Sequence, residues 1–293
     1  MTERGDGLHG SEPDDRRWSS DDERVTTYLE RIGLDSERVR ARRPNHDLLT
    51  DLLRAHVTAV PFETLSITGD PFGEWPGPGV SLTVPALYEK VVARERGGYC
   101  FELGGLFTVL LRSLGFRADR AAGMVLGDGE TSPTPANHHT VVVHLDRRYV
   151  ADVGTGLPKT RVPVPLDGES VRDDRGTEWR VADSSRPDSE YRLSYRRPGD
   201  EQWERRYVFD ATPRPLSYFA ASCDYLATAA ESPFTGEPTL SVATADGAVE
   251  LSPTTLTRHT PEGTTTESLS PEEWAHHAAE TFGLRYPFLD GAE

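Results

Sequence analysis

Two adjacent glycines, Gly97 and Gly98, break the chain just before a run in which Leu103, Phe107, Leu110, Leu111 and Leu114 recur at helical spacing. Gly115 stops that run. The pattern demands a helix with one face buried, and it sets Cys100 in the first turn. A helix start carries partial positive charge, which favours a thiolate, and the glycines let backbone come close while the sulfur stays reachable. The competing reading of Cys100 is a small buried hydrophobe, which is what most free cysteines are. Cys223, the other cysteine, has no such setting and reads as structural.

The segments before this helix are helical as well. Ser20 and Glu23 have capping-box spacing ahead of a stripe of Val25, Tyr28, Leu29 and Ile32, ended by Gly33. A second helix is expected from about His46 to Val57, and another over about 84–94, opened by Pro85. Residues 1–21 are charged and rich in Gly, Ser and Asp, and read as a mobile extension. After Gly115 the chain turns to strands: the valine-rich 139–145, a return over 148–154, and further short strands to about 210. A helix within 216–230, a hairpin around Asp246-Gly247 and a terminal helix complete an α+β chain.

Charge narrows the function. With 48 acidic against 32 basic residues the net charge is −16, a field that repels nucleic acid and anionic lipid. Two cysteines are too few for a disulfide framework or a zinc site. His276-His277 are adjacent on a helix and cannot face one another as metal ligands. No apolar stretch is long enough to span a bilayer, and the N-terminus lacks the apolar core of a signal peptide, so the cytoplasm is the expected compartment.

A nucleophilic thiol needs a base, and the base needs an orienting carboxylate. Asp152 stands amid Val150, Ala151 and Val153, where a lone carboxylate needs a partner. The alternative is a carboxylate bonded only to backbone amides. His138 and His139 open the neighbouring strand, and face parity decides between them. A hairpin loop of two or four residues sets His139 on the face of Asp152; three residues set His138 there. Asp146-Arg147 lacks the Gly or Asn of a two-residue primed turn, which leans towards the longer loop and His138. Glu102 and Arg96 read as a buried ion pair holding the loop beside the thiol, and His56 and His144 as structural.

The segments RGGYCFEL (96–103), YLERIG (28–33), HVTAVPFETL (56–65), LYEKVV (87–92), NHHTVVVHL (137–145) and YVADVGTG (149–156) together resemble the arylamine N-acetyltransferases, in the family's order and spacing. The resemblance implies a helical domain (22–118), a β-barrel domain (119–210) and an α/β lid (211–293), the architecture of the papain-like cysteine-triad superfamily. It implies a triad of Cys100, His138 and Asp152, with His139 as the alternative base. The interval from His138 to Asp152 is one residue shorter than the family's. Phe62, Val125 and Thr155 fall at its substrate-pocket positions. Thr155 replaces an aromatic ring there, Gly104 an asparagine, and Thr64 another asparagine, so the acyl pocket is expected to be wider and more polar.

The implied reaction is ping-pong transfer of an acetyl or other acyl group from a CoA thioester, most simply acetyl-CoA, to an arylamine or hydrazine. It needs no metal. Positions for the CoA moiety are not legible. The alternative is an amide synthase that closes or releases a carrier-bound polyketide, with an acyl carrier protein as partner. A non-catalytic binding protein that keeps the fold is a third reading.

Overall fold

The computed structural model of the protein describes residues 17–73, 76–127, 131–132 and 134–285. Its first part is helical: α1 (Glu23–Arg31), α2 (Ser36–Arg40), α3 (His46–Ala59), the single turn α4 (Leu65–Thr68), α5 (Val84–Tyr88), which runs on as a π-helical turn over Glu89–Ala93, and α6 (Cys100–Ser113). Helix α6 is buried on nearly every side, from Cys100 to Leu111. A helix apolar all round must sit in a core, and α1, α3 and α5 pack around it in the largest apolar cluster.

Three local expectations change. Helix α1 is capped by Asp22, whose side chain accepts the Arg24 N–H, and not by Ser20. The helix expected over 84–94 widens to π geometry in its second half. Within the expected N-terminal extension, residues 1–16 lie outside the described residues, whereas the Trp18 ring is buried edge-on against Tyr88 and its backbone N–H donates to Ser113 Oγ at 2.9 Å. A large indole that can cover the end of α6 is drawn into the core even from a polar segment.

Eight strands follow: β2 (Arg117–Met124), β3 (His138–His144), β4 (Arg148–Val150), β5 (Val164–Pro165), β6 (Ser170–Arg172), β7 (Glu178–Asp183), β8 (Tyr191–Arg196) and β9 (Glu204–Arg214), numbered after β1 (Phe62–Glu63). They form one antiparallel sheet in the order β5-β4-β3-β2-β9-β8-β7-β6. The end strands β5 and β6 return beside each other, so the sheet is a nearly closed barrel, as the resemblance implies. Trp179, Val181, Leu193, Tyr207 and Phe209 fill it.

The chain then makes a short 3₁₀ turn, helix α7 (Ala220–Thr228), strands β10 (Leu240–Ala243), β11 (Ala248–Leu251), β12 (Thr255–Thr260) and β13 (Gly263–Ser268), and helix α8 (Pro271–Phe282). Strand β1, from the helical part, joins this second sheet by pairing with β10, Phe62 opposite Ser241. Trp274 of α8 packs on its apolar face. Thr64, where a family asparagine is expected, ties the same junction: its hydroxyl accepts the Thr239 N–H at 3.0 Å. Among the described residues no helix is long and apolar enough to cross a membrane.

Candidate functional site

Cys100 is the first residue of α6, as its glycines require. Residue Tyr99 caps the helix, and the Glu102 carboxylate reaches back to the Tyr99 N–H at 3.1 Å. The segment before it is held by a backbone ladder to β1, with the Glu63 N–H donating to the Gly98 carbonyl and the Gly98 N–H to the Pro61 carbonyl. A Cβ on Gly97 would stand 2.3 Å from that Pro61 carbonyl oxygen, so only glycine fits there.

In place of a single pair of Arg96 with Glu102, a network through Lys90 and Glu63 links the two. Arg96 reaches Glu63 at 3.2 Å, and Lys90 reaches Glu102 at 2.9 Å and Glu63 at 3.3 Å. The π turn carries Lys90 to a place that sequence spacing does not show.

The hairpin between β3 and β4 has a three-residue loop, Leu145–Arg147, with Val142 opposite Val150 and His144 opposite Arg148. That loop length puts His138 on the face of Asp152. The structure joins them: His138 Nε2 lies 2.7 Å from Asp152 Oδ2, both groups buried. His139 points the other way. Its Nδ1 stands 2.6 Å from where a Cβ on Gly104 would be, and its ring packs 4.8 Å from Phe219. Among the described residues neither of its ring nitrogens has a hydrogen-bond partner, and burial holds it well below the usual imidazole range, hence neutral. The alternative base is thus turned away from Asp152, and it fills the space that a side chain at position 104 would need.

Asp152 is held on both oxygens. Oδ2 accepts from His138 and from the Tyr207 hydroxyl at 2.6 Å, with the Thr140 hydroxyl 2.8 Å beyond; Oδ1 accepts the Gly154 N–H at 2.8 Å. Burial pushes the carboxyl up, but the imidazole, the phenol and the amide outweigh it and hold it down to about 2. An ionised carboxylate only accepts, so His138 donates through Nε2 and keeps Nδ1 as the basic nitrogen. Nothing local in the sequence points to Tyr207, which reaches Asp152 from 55 positions away on β9.

The two halves meet at the sulfur. A Cβ on Gly154 would lie 2.8 Å from Cys100 Cα and 2.9 Å from its carbonyl oxygen, so the strand end after Asp152 rests directly on the helix start. Cys100 Sγ is 3.9 Å from the Asn137 carbonyl oxygen, one residue from His138. Burial pushes the Cys100 thiol well above its ordinary range, and the Asp152 carboxylate and Cys223 push the same way; the amides of Phe101 and His139 pull it down only in part. The helix start alone therefore does not make the thiolate expected from its position.

Cys223 is buried against the Tyr99 hydroxyl at 2.7 Å, a structural contact. Both cysteines are free thiols. Phe62 and Thr155 are buried nearby, Phe62 against Phe234 and Thr155 with its carbonyl accepting the Lys159 ammonium at 2.9 Å. Val125 is 40% exposed on the loop after β2, its backbone tied at both N–H and C=O to the Asn137 side chain.

Two stability measurements follow from this packing. Gly154→Ala must lift the strand end off Cys100 and is expected to cost about 1–3 kcal/mol; an unchanged melting temperature would contradict the contact. Asp152 is held at about 2 in the fold against 3.8 for a free side chain. Its stabilising contribution is therefore complete above the unfolded value and lost as pH falls towards 2. The stability difference between the wild-type chain and Asp152→Asn, from urea unfolding, should shrink by about 1 kcal/mol between about pH 6 and pH 3. A pH-independent difference would contradict the ionised pair.

Comparison with known proteins agrees with this geometry. A family profile described as N-acetyltransferase matches residues 45–288. The arylamine N-acetyltransferase of Mycolicibacterium smegmatis is 32% identical over 238 residues, 79% of this chain and 81% of that one. Human arylamine N-acetyltransferase 1 is 30% identical across 80% of this chain and 82% of its own length. The structure of Mycobacterium marinum arylamine N-acetyltransferase in complex with CoA superposes with a TM-score of 0.74 at 28% identity, covering 89% of this chain and 92% of that one. With family profile, relatives and fold in agreement, the chain belongs to the arylamine N-acetyltransferase family.

Proposed function

We propose that this protein transfers an acyl group from a CoA thioester, most simply acetyl-CoA, through Cys100 to an arylamine or hydrazine. The observation that carries the reading is the buried His138–Asp152 pair at 2.7 Å, set beside a thiol that needs a base. His138 takes the thiol proton at Nδ1, and the imidazolium so formed is stabilised by the carboxylate at Nε2. The sulfur attacks the thioester carbonyl, and backbone amides at the start of α6 stabilise the oxyanion. The CoA thiolate leaves with the proton from His138. The amine then attacks the acyl-enzyme, His138 accepts its proton, the amide departs, and the thiol is restored. Family membership and the CoA complex of the Mycobacterium marinum relative support the choice of donor. A mechanism that runs on a free thiol suits a reducing cytoplasm.

Initial rates with acetyl-CoA and an arylamine both varied test this. Parallel double-reciprocal lines are expected, because the donor's product leaves before the acceptor reacts. Intersecting lines would contradict a covalent intermediate. Turnover only with a longer pantetheine-bound acyl group would favour the amide synthase reading, with its carrier protein. No turnover with any donor would leave a binding protein.

A further inference from the structure

Two cations lie along the loop that follows Gly154, and neither makes an ion pair with a carboxylate among the described residues. Lys159 is buried, yet its Nζ makes a single hydrogen bond, to the Thr155 carbonyl, and sits 5.6 Å from the Phe62 ring centroid. It forms no ion pair with a carboxylate among the described residues. Arg206, on β9, likewise forms none. Its Nε is buried without a partner, and its Nη2 is 3.8 Å from where a Cβ on Gly156 would be.

Burial lowers Lys159 to about 7, and Arg206 is the charge that lowers it most. Asp152 acts against both shifts and Glu250 against that of Lys159; the Asp152 oxygens are already committed to His138, Tyr207 and Gly154, and Glu250 makes no ion pair with Lys159 among the described residues. Buried charge without a counter-ion is costly, and two like charges raise the cost further. An arriving anion would relieve it.

The location says which anion. Thr155 follows Gly154, which rests on Cys100, and Phe62 pairs through its backbone with Gly98, two residues before the sulfur. Lys159 is therefore close to where the acyl group and the acceptor meet. A CoA phosphate, held off the thioester by the whole pantetheine arm, belongs elsewhere. Lys159 also lines a cleft of about 880 Å³ between the barrel and the second sheet, where Arg161, Arg175 and Arg197 stand with Asp173 and Asp246.

We propose that Lys159 and Arg206 form an anion subsite beside Cys100 that selects a substrate bearing a carboxylate. The inference rests on Cys100 carrying the acyl group. The carboxylate enters on the acceptor, as in an aminobenzoate, or on the acyl group, as in a dicarboxylic acid thioester.

Two arms separate these sources. One compares 4-aminobenzoate with 4-methylaniline, using acetyl-CoA as donor. The other compares succinyl-CoA with butyryl-CoA, using one neutral arylamine. In each arm the reading is the ratio of kcat/KM for the carboxylate over its neutral counterpart. The ratio should favour the carboxylate in one arm, fall about 10- to 100-fold in Lys159→Met, and be largely retained in Lys159→Arg. Arg206→Met should lower the same ratio. A wild-type ratio at or below one in both arms, or ratios that Lys159→Met leaves unmoved, would overturn the subsite. If intact-mass analysis showed no acyl group on Cys100 at all, the underlying reading would fail, and the subsite with it.

Discussion

Replacing Cys100 with alanine is expected to lower kcat/KM for acyl transfer by at least about a thousandfold, and to remove any covalent acyl-enzyme. No other thiol can stand in, because Cys223 is buried against Tyr99 and pushed up to about 11, away from the Asp152–His138 pair. The loss must not come from unfolding. Cys100 is packed in the main core cluster, but alanine removes only one sulfur atom from it, costing about 1–2 kcal/mol. The measurement is kcat/KM of the purified variant beside its thermal unfolding. Retained activity in a folded variant would remove the nucleophile from the account.

Asp152→Asn is the second large effect, an expected fall in kcat of about 10³- to 10⁴-fold with little change in KM for the donor. The present carboxylate accepts three hydrogen bonds: His138 and Tyr207 on Oδ2, and the Gly154 N–H on Oδ1. An asparagine must turn its amide NH₂ towards one of these. Facing Gly154, it sets two donors against each other and disturbs the strand end that rests on Cys100. Facing His138, it donates to Nε2 and moves the ring proton to Nδ1, the nitrogen that must be basic. Either way the imidazolium formed during attack loses its counter-charge. A variant with less than a tenfold loss would show that Asp152 serves the fold and not the reaction.

How much was legible in the sequence varied with the range of the forces involved. Helix α6 and the place of Cys100 at its start rest on local spacing and two glycines, and both appear as expected. The choice between His138 and His139 turned on one residue of loop length. Asp146-Arg147 argues against a two-residue turn but does not choose between three and four, whereas the structure shows three. Tyr207, Lys159 and Arg206 were not legible at all. Tyr207 reaches Asp152 only through barrel closure, Arg206 comes beside Gly156 from the same strand, and a lysine in a polar stretch gives no local sign of being buried. The thiol illustrates a competition that position alone cannot resolve: the helix start favours the anion, but burial and the Asp152 charge win. Gly104 and His139 look like two unrelated features of the sequence, and in the fold they are one exchange of volume.

The central claim is that the acyl group rests on the Cys100 sulfur. The most direct test is mass spectrometry of the wild-type chain, whole and as peptides, after incubation with acetyl-CoA without acceptor. A single acetyl group is expected on the peptide containing Cys100, labile to hydroxylamine and discharged by an arylamine. An unmodified Cys100, with no acetyl group or with it on another residue, would contradict it.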